Sequence, residues 1–151
     1  MKSDFKIIVD SREQKPLWTN CEVKKLDFGD YSIEGHEYLF AIERKSLPDM
    51  LSTLTSGHER FKKELIRARV ANYFAIVVDG SYSAMENKDW PNAWRSKVPG
   101  HTATAIADTL HMKYGVHIHW CKDRNDSKRR IRGLMRNYLK QDWSKINDKN
   151  N

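Results

Sequence analysis

Short apolar runs alternate along the chain with longer stretches whose apolar residues recur every three or four positions, the pattern of an α/β protein. Phe5 to Val9 is apolar and rich in β-branched residues, which predicts a buried strand, and it ends in the charged quartet Asp10-Ser11-Arg12-Glu13. Lys15 to Asn20, with Pro16 and Trp18, is a predicted loop, and Cys21 to Phe28 a strand with ill-defined ends. Two further strands flank Gly35-His36, where glycine supplies the positive φ of a tight hairpin turn. Setting Glu34 opposite Glu37 places Tyr31 against Phe40 and Ile33 against Tyr38, an apolar set on one face. Asp30 then falls opposite Ala41 on the other face, where Glu43 and Lys45 follow.

Beyond the hairpin, Leu47 to Leu54 predicts a short helix capped by Ser46, with Pro48 and Asp49 in its first turn. A second helix runs from about His58 to Val70 on the apolar stripe Phe61, Leu65 and Ala68, with Arg60, Lys62, Lys63, Arg67 and Arg69 around it. Tyr73 to Val78 is another buried strand, followed by an irregular stretch over residues 81–100. Trp90 and Trp94 in that stretch either pack it onto the domain or offer a base-stacking platform. Thr102 to Tyr114 is a helix stopped by Gly115, and Val116 to Trp120 a half-buried strand. His111, His117, His119 and Cys121 could be taken for a zinc set, although alternating residues on a polar strand face are the simpler account. The last helix, from about Asp126 to Lys140, turns Ile131, Leu134, Met135, Tyr138 and Leu139 inward. Residues 144–151 read as a polar tail to a single domain spanning residues 1–143.

Composition narrows the functional classes. A chain of 151 residues suffices for one core and not for two. Its net charge of +7 points to a polyanionic partner, nucleic acid before membrane. The excess is concentrated: residues 122–151 hold ten basic and four acidic side chains. Lys128, Arg132, Arg136 and Lys140 form one outward stripe of the last helix, with Arg129 beside it. Like charges at that spacing repel, which is easier to understand if the stripe meets a phosphate backbone or an acidic partner. Two cysteines suggest neither a disulfide framework nor a four-cysteine zinc site. No apolar run is long enough to span a bilayer and no signal-peptide h-region follows Met1, so the expected setting is intracellular, cytoplasmic or nucleoid-associated.

The chemistry centres on the hairpin. Two carboxylates, Asp30 and Glu43, share a face with one ammonium, Lys45. Hard divalent cations take carboxylate and phosphate oxygens, and a neighbouring lysine can hold a water and offset charge building on a phosphate. The trio fits phosphodiester hydrolysis; it also fits an exposed hairpin with ordinary surface charges.

Taken in order, Ile8-Val9-Asp10-Ser11-Arg12-Glu13, Gly29-Asp30-Tyr31, and Ile42-Glu43-Arg44-Lys45-Ser46 with Asp49 resemble the nuclease domain of the XPF, MUS and Hef family of structure-specific DNA endonucleases, in the PD-(D/E)xK superfamily. Ser56-Gly57, the strand into Val77-Val78, and Met112 to Trp120 extend the match. The resemblance implies a restriction-endonuclease-like α/β core, a central mixed sheet flanked by helices. It implies a magnesium- or manganese-dependent nuclease in which Asp30 and Glu43 hold the metal and Lys45 serves water and phosphate, with Asp10, Arg12, Glu13 and Asp49 completing or supporting the site. Arg12, Arg44, Lys62, Lys63, Lys128, Arg129, Arg132 and Arg136 are the candidate DNA contacts. Branched, flapped or junction DNA is the implied substrate in repair, recombination or replication. Expected partners are a second copy of the chain and a replication or recombination protein, and the expected source is a prokaryote or its phage. The other expectation is a catalytically silent DNA-binding or scaffolding subunit with the same fold. Two departures stand out. Relatives often carry Gly-Arg after the metal motif and a glutamine beyond it, whereas here Gly57 precedes His58, and Lys62 and Lys63 stand near the glutamine's place. The tandem helix-hairpin-helix domain that helps relatives grip DNA has no counterpart within these 151 residues.

Overall fold

The computed structural model describes residues 5–144. Six strands form in chain order: Ile7–Asp10 (β1), Glu22–Lys24 (β2), Tyr31–Ile33 (β3), Phe40–Lys45 (β4), Tyr73–Val78 (β5) and His117–Trp120 (β6). They make one mixed sheet in the order β2-β1-β3-β4-β5-β6. β1 and β4 are antiparallel to β3 between them; β2 is parallel to β1, β5 to β4, and β6 to β5. The expected strand over residues 21–28 contracts to three residues at a sheet edge, where only one side offers hydrogen bonds.

Helices Leu47–Leu54 (α1), His58–Arg67 (α2), Tyr82–Glu86 (α3), Gly100–Tyr114 (α4) and Arg124–Leu139 (α5) cover the two faces unequally. Ser46 caps α1 as its sequence predicts, Oγ accepting from the Asp49 N–H at 3.2 Å. The stretch taken as irregular contains α3, whose five residues are too few to show a period; Ser81 caps it and Met85 anchors it. α5 starts two residues earlier than its apolar pattern suggests, because Asp123 accepts from the Asp126 N–H at 2.8 Å.

One face of the sheet packs Val9, Tyr31, Ile33, Phe40, Ile42 and Val77 against Ile131, Met135 and Tyr138 of α5. Leu139, expected inward, stays 38% exposed at the helix end. The other face packs Ile76 and Val78 under α1, α2, α3 and α4, through residues such as Met50, Phe61, Leu65 and Ala107. Each large side chain buried this way contributes about 1.5–3 kcal/mol.

The hairpin forms with a different register. Tyr31 pairs with Ile42, not Phe40, and residues 34–39 make a longer loop around Gly35, whose φ is +88°. That loop is held by the Leu39 and Phe40 N–H groups on the His36 carbonyl, and by Ser32 Oγ donating to Phe40 O at 2.6 Å. Tyr38, expected opposite Ile33, is therefore a loop residue and 62% exposed. A slip of two residues leaves every strand side chain on its original face, because side chains alternate with period two.

Candidate active site on the β3–β4 hairpin

The slip brings Asp30 close to Glu43. Gly29 turns the chain into β3 at φ +79°, and the Asp30 N–H donates to Ile42 O at 2.7 Å. One Asp30 oxygen, Oδ2, accepts from the Arg44 N–H at 2.8 Å, and its carboxyl acts directly on that of Glu43. Glu43 is 6% exposed, and Lys45 Nζ stands 3.9 Å from its Oε2. Burial, the Asp30 charge and then Glu64 push Glu43 well above the usual carboxylate range. Asp30 is also raised, by burial first, against the lowering effects of its hydrogen bonds and Lys45. Two ionised carboxylates this close repel one another, and a cation or a proton between them relieves that repulsion. Both are hard oxygen donors, so the pair fits a divalent cation. Lys45 balances one charge of the two.

This centre opens into a cleft of about 430 Å³ between the sheet and α2. Arg12, Lys45, Arg60 and Arg67 bring positive charge to its wall, with Ser52 and Ser56 at the end of α1. Glu64 lines it too and acts electrostatically on Asp30, Glu43 and Arg12. Glu64 is missed from sequence, and Arg60 and Arg67, named there among the cations around the second helix, are not singled out as DNA contacts. The three follow an i, i+4, i+7 row one position before the buried row Phe61, Leu65 and Ala68, so the packing of that row aims them at the cleft.

The supporting residues divide. Asp10 is 3% exposed, and its carboxylate accepts from Arg12 Nε at 2.8 Å, from the Arg12 N–H at 3.2 Å and from the Leu26 N–H at 2.8 Å. Burial alone would raise its pKa, yet these hydrogen bonds win and hold it below the usual range. Asp10 therefore anchors Arg12, whose side chain is 66% exposed and borders the cleft. Glu13 accepts from the Lys15 N–H and acts on Tyr31 and Arg44 instead. Asp49 is exposed in the first turn of α1.

Of the other candidate DNA contacts, Arg44 alternates away from Glu43 and forms a mostly buried ion pair with Asp79. Lys62 pairs with Glu59 at 3.4 Å and borders a hollow against α4 instead of the cleft, and Lys63 is exposed. Lys128, Arg129, Arg132 and Arg136 all lie on α5, across the sheet from the carboxylates. Arg129 pairs with Asp126 at 2.7 Å, and Arg132 sits over the Trp18 ring at 5.8 Å. Trp90 packs partly against the core, whereas Trp94 is 77% exposed beside Arg95.

The zinc set does not assemble: among the described residues no three His, Cys, Asp or Glu side chains converge as metal ligands. His117 and His119 share the Tyr73 hydroxyl, at 3.4 and 3.1 Å, while Cys121 is buried in the core under α5. No helix among the described residues is long and apolar enough to cross a membrane.

Fold and site together define a restriction-endonuclease-like α/β domain with a carboxylate–carboxylate–lysine centre on its central hairpin. Residues 5–134 match the ERCC4 domain, and the chain belongs to that family. The structure is similar to XPF from Aeropyrum pernix, with a TM-score of 0.68 and 22% identity over 95% of this chain and 69% of that one. It is equally similar to the XPF from Aeropyrum pernix in complex with DNA, with a TM-score of 0.68 and 23% identity over 90% of this chain and 66% of that one. The present chain thus spans about two thirds of those solved chains, and at this identity the likeness establishes the fold. No curated protein matches the sequence.

Proposed function

We propose that this protein is a divalent-metal-dependent endonuclease that hydrolyses phosphodiester bonds in branched, flapped or junction DNA. The observation that carries this reading is the Asp30–Glu43 pair, two carboxyl groups close enough to act on one another, with Lys45 Nζ 3.9 Å from one of them, beside a cationic cleft. Asp30 and Glu43 would hold magnesium or manganese, which supplies polarisation of the phosphodiester and a more acidic bound water. The family and the DNA complex of the similar Aeropyrum pernix XPF support a DNA substrate.

The chain's own residues supply the rest. The Arg44 N–H fixes one Asp30 oxygen, so that carboxylate is oriented before anything binds. Lys45 donates to the attacking water or to a non-bridging phosphate oxygen, where negative charge grows in the transition state. Arg12, Arg60 and Arg67 receive the flanking phosphates, Arg12 on a side chain immobilised by Asp10. Burial first, then Asp30, keep Glu43 reluctant to ionise, and Glu64 adds to them.

A second copy of the chain belongs to the same proposal. Met112 on α4, 79% exposed, and Leu139 on α5 are surface apolar residues of the two helices that would meet. Sedimentation showing only monomer at micromolar concentration would remove that part.

The deciding assay is a panel of flap, fork, junction, single-stranded and duplex DNAs with and without magnesium. Cleavage is expected only with metal, and Lys45→Ala or Asp30→Asn should lower it by about a hundredfold or more. Wild-type rates in either variant would refute the assignment. Binding without cleavage under either metal would make the chain a silent subunit.

A further inference from the structure

A second cavity, of about 590 Å³, adjoins the cleft, and the two share Arg12 and Arg67. It runs beside the segment after β2, along Lys25 and Phe28, to the hairpin loop at Tyr38 and the turn after α2 at Val70. Two exposed large apolar side chains line it, Tyr38 at 62% and Val70 at 71%. Three cations line this cavity, Arg12, Lys25 and Arg67, against one carboxylate, Asp27. An aromatic ring left in solvent beside a valine, next to a basic track leading to a phosphodiester centre, has the chemistry that binds unpaired nucleotides. Cations follow the backbone, and bases stack on the ring. A duplex offers no free base face for such a ring, because its bases already stack on one another.

We infer that this cavity is a nucleotide subsite, in which an unpaired base of the strand being cut stacks on Tyr38 while Arg12, Lys25 and Arg67 hold its phosphates. The inference rests on the proposed nuclease reading, to which it adds the residues that would hold the unpaired arm, Tyr38 and Lys25 with Arg12 and Arg67. Arg12 acquires a specific place in it. Asp10 and the Leu26 carbonyl pin its guanidinium, at 2.8 Å and 3.0 Å, at the boundary of the two cavities. It can therefore fix the phosphate between the reacting centre and the stacked base.

The test is equilibrium binding of a fluorescent oligothymidylate, a flapped duplex and a blunt duplex of equal length, in EDTA so that nothing is cut. Tyr38→Ala should weaken binding of the two DNAs with unpaired nucleotides roughly 5- to 150-fold and leave the blunt duplex unchanged. Tyr38→Phe should bind like wild type, because the ring is retained. Lys25→Glu is the second variant, expected to weaken the same two DNAs with a shallower salt dependence. Equal affinity of Tyr38→Ala and wild type for oligothymidylate would overturn the subsite, as would an equal loss on all three DNAs. An inert wild type that still shows the Tyr38-dependent preference would refute the hydrolytic reading and leave the nucleotide site standing.

Discussion

Gly29 and Gly35 provide a controlled experiment within one hairpin. Their φ values are close, +79° and +88°, so both occupy the left-handed region where a side chain is disfavoured. Alanine at either position should cost about 1–2 kcal/mol for that reason alone. Their surroundings differ completely. A Cβ at Gly35 would meet nothing within 4 Å, whereas one at Gly29 would lie 2.8 Å from Ala41 Cβ and 3.2 Å from Ile42 O. Ala41 is fully buried against Phe28 and Ala68 and cannot retreat, so the strand carrying Asp30 must move. Overpacking of that kind costs a further 1–3 kcal/mol or so. Gly29→Ala should therefore lose about 2–5 kcal/mol, and Gly35→Ala only the first part. For a domain of this size the difference between them is roughly 2–12 °C in Tm. Urea denaturation of both variants measures it directly, with the m-value checking that the unfolded state is unchanged. Gly29→Ala should also lose cleavage beyond its loss of folded fraction, because Asp30 is displaced. Equal stabilities for the two variants would refute the reasoning that glycine precedes Asp30 for lack of room.

Other outcomes are open to measurement. Asp10→Asn should cost about 1.5–3 kcal/mol at pH 7, towards the low end because Arg12 is largely exposed. The folded pKa of Asp10 lies below its unfolded value of about 3.9, so this contribution is complete above that pH and disappears as the pH falls through the folded pKa; a deficit that persists in acid would contradict it. His119 is held down to about 4 by burial, then Arg130 and His117, so it destabilises the fold as the pH drops from about 6.5 towards 4. Its imidazole resonances should titrate near 4 by NMR, and a midpoint near 6.5 would show that burial is incomplete. Asp79→Ala strands Arg44 without its partner in a mostly buried position and should cost about 3–5 kcal/mol; a change below 1 kcal/mol would mean that water reaches the guanidinium.

What the sequence disclosed follows from the range of each interaction. α1 was legible to the residue because its signals, Ser46, Pro48 and Asp49, are all local. The carboxylate pair was legible although the hairpin register was not, because a two-residue slip leaves the alternation intact and changes only the partners. The loop length depended on Ser32 reaching Phe40 O, a contact that no local pattern encodes. Glu64 is not legible in the sequence because its placement depends on how α2 rotates over the sheet, which is decided by the depth at which Phe61 and Leu65 pack. For Asp10 the neighbouring Arg12 was visible, but the Leu26 N–H that completes its shell comes from another strand's exit.

The sheet stands as a wall between the two charged regions of the molecule. The carboxylates, with Arg60 and Arg67, look out beside α2, while the α5 row of Lys128, Arg132 and Arg136 looks the other way. No straight rod can lie against both, so a nucleic acid that touched both would have to bend around an edge of the domain. Otherwise the row behind serves a different molecule, and its charges could be rewritten without disturbing the carboxylate centre.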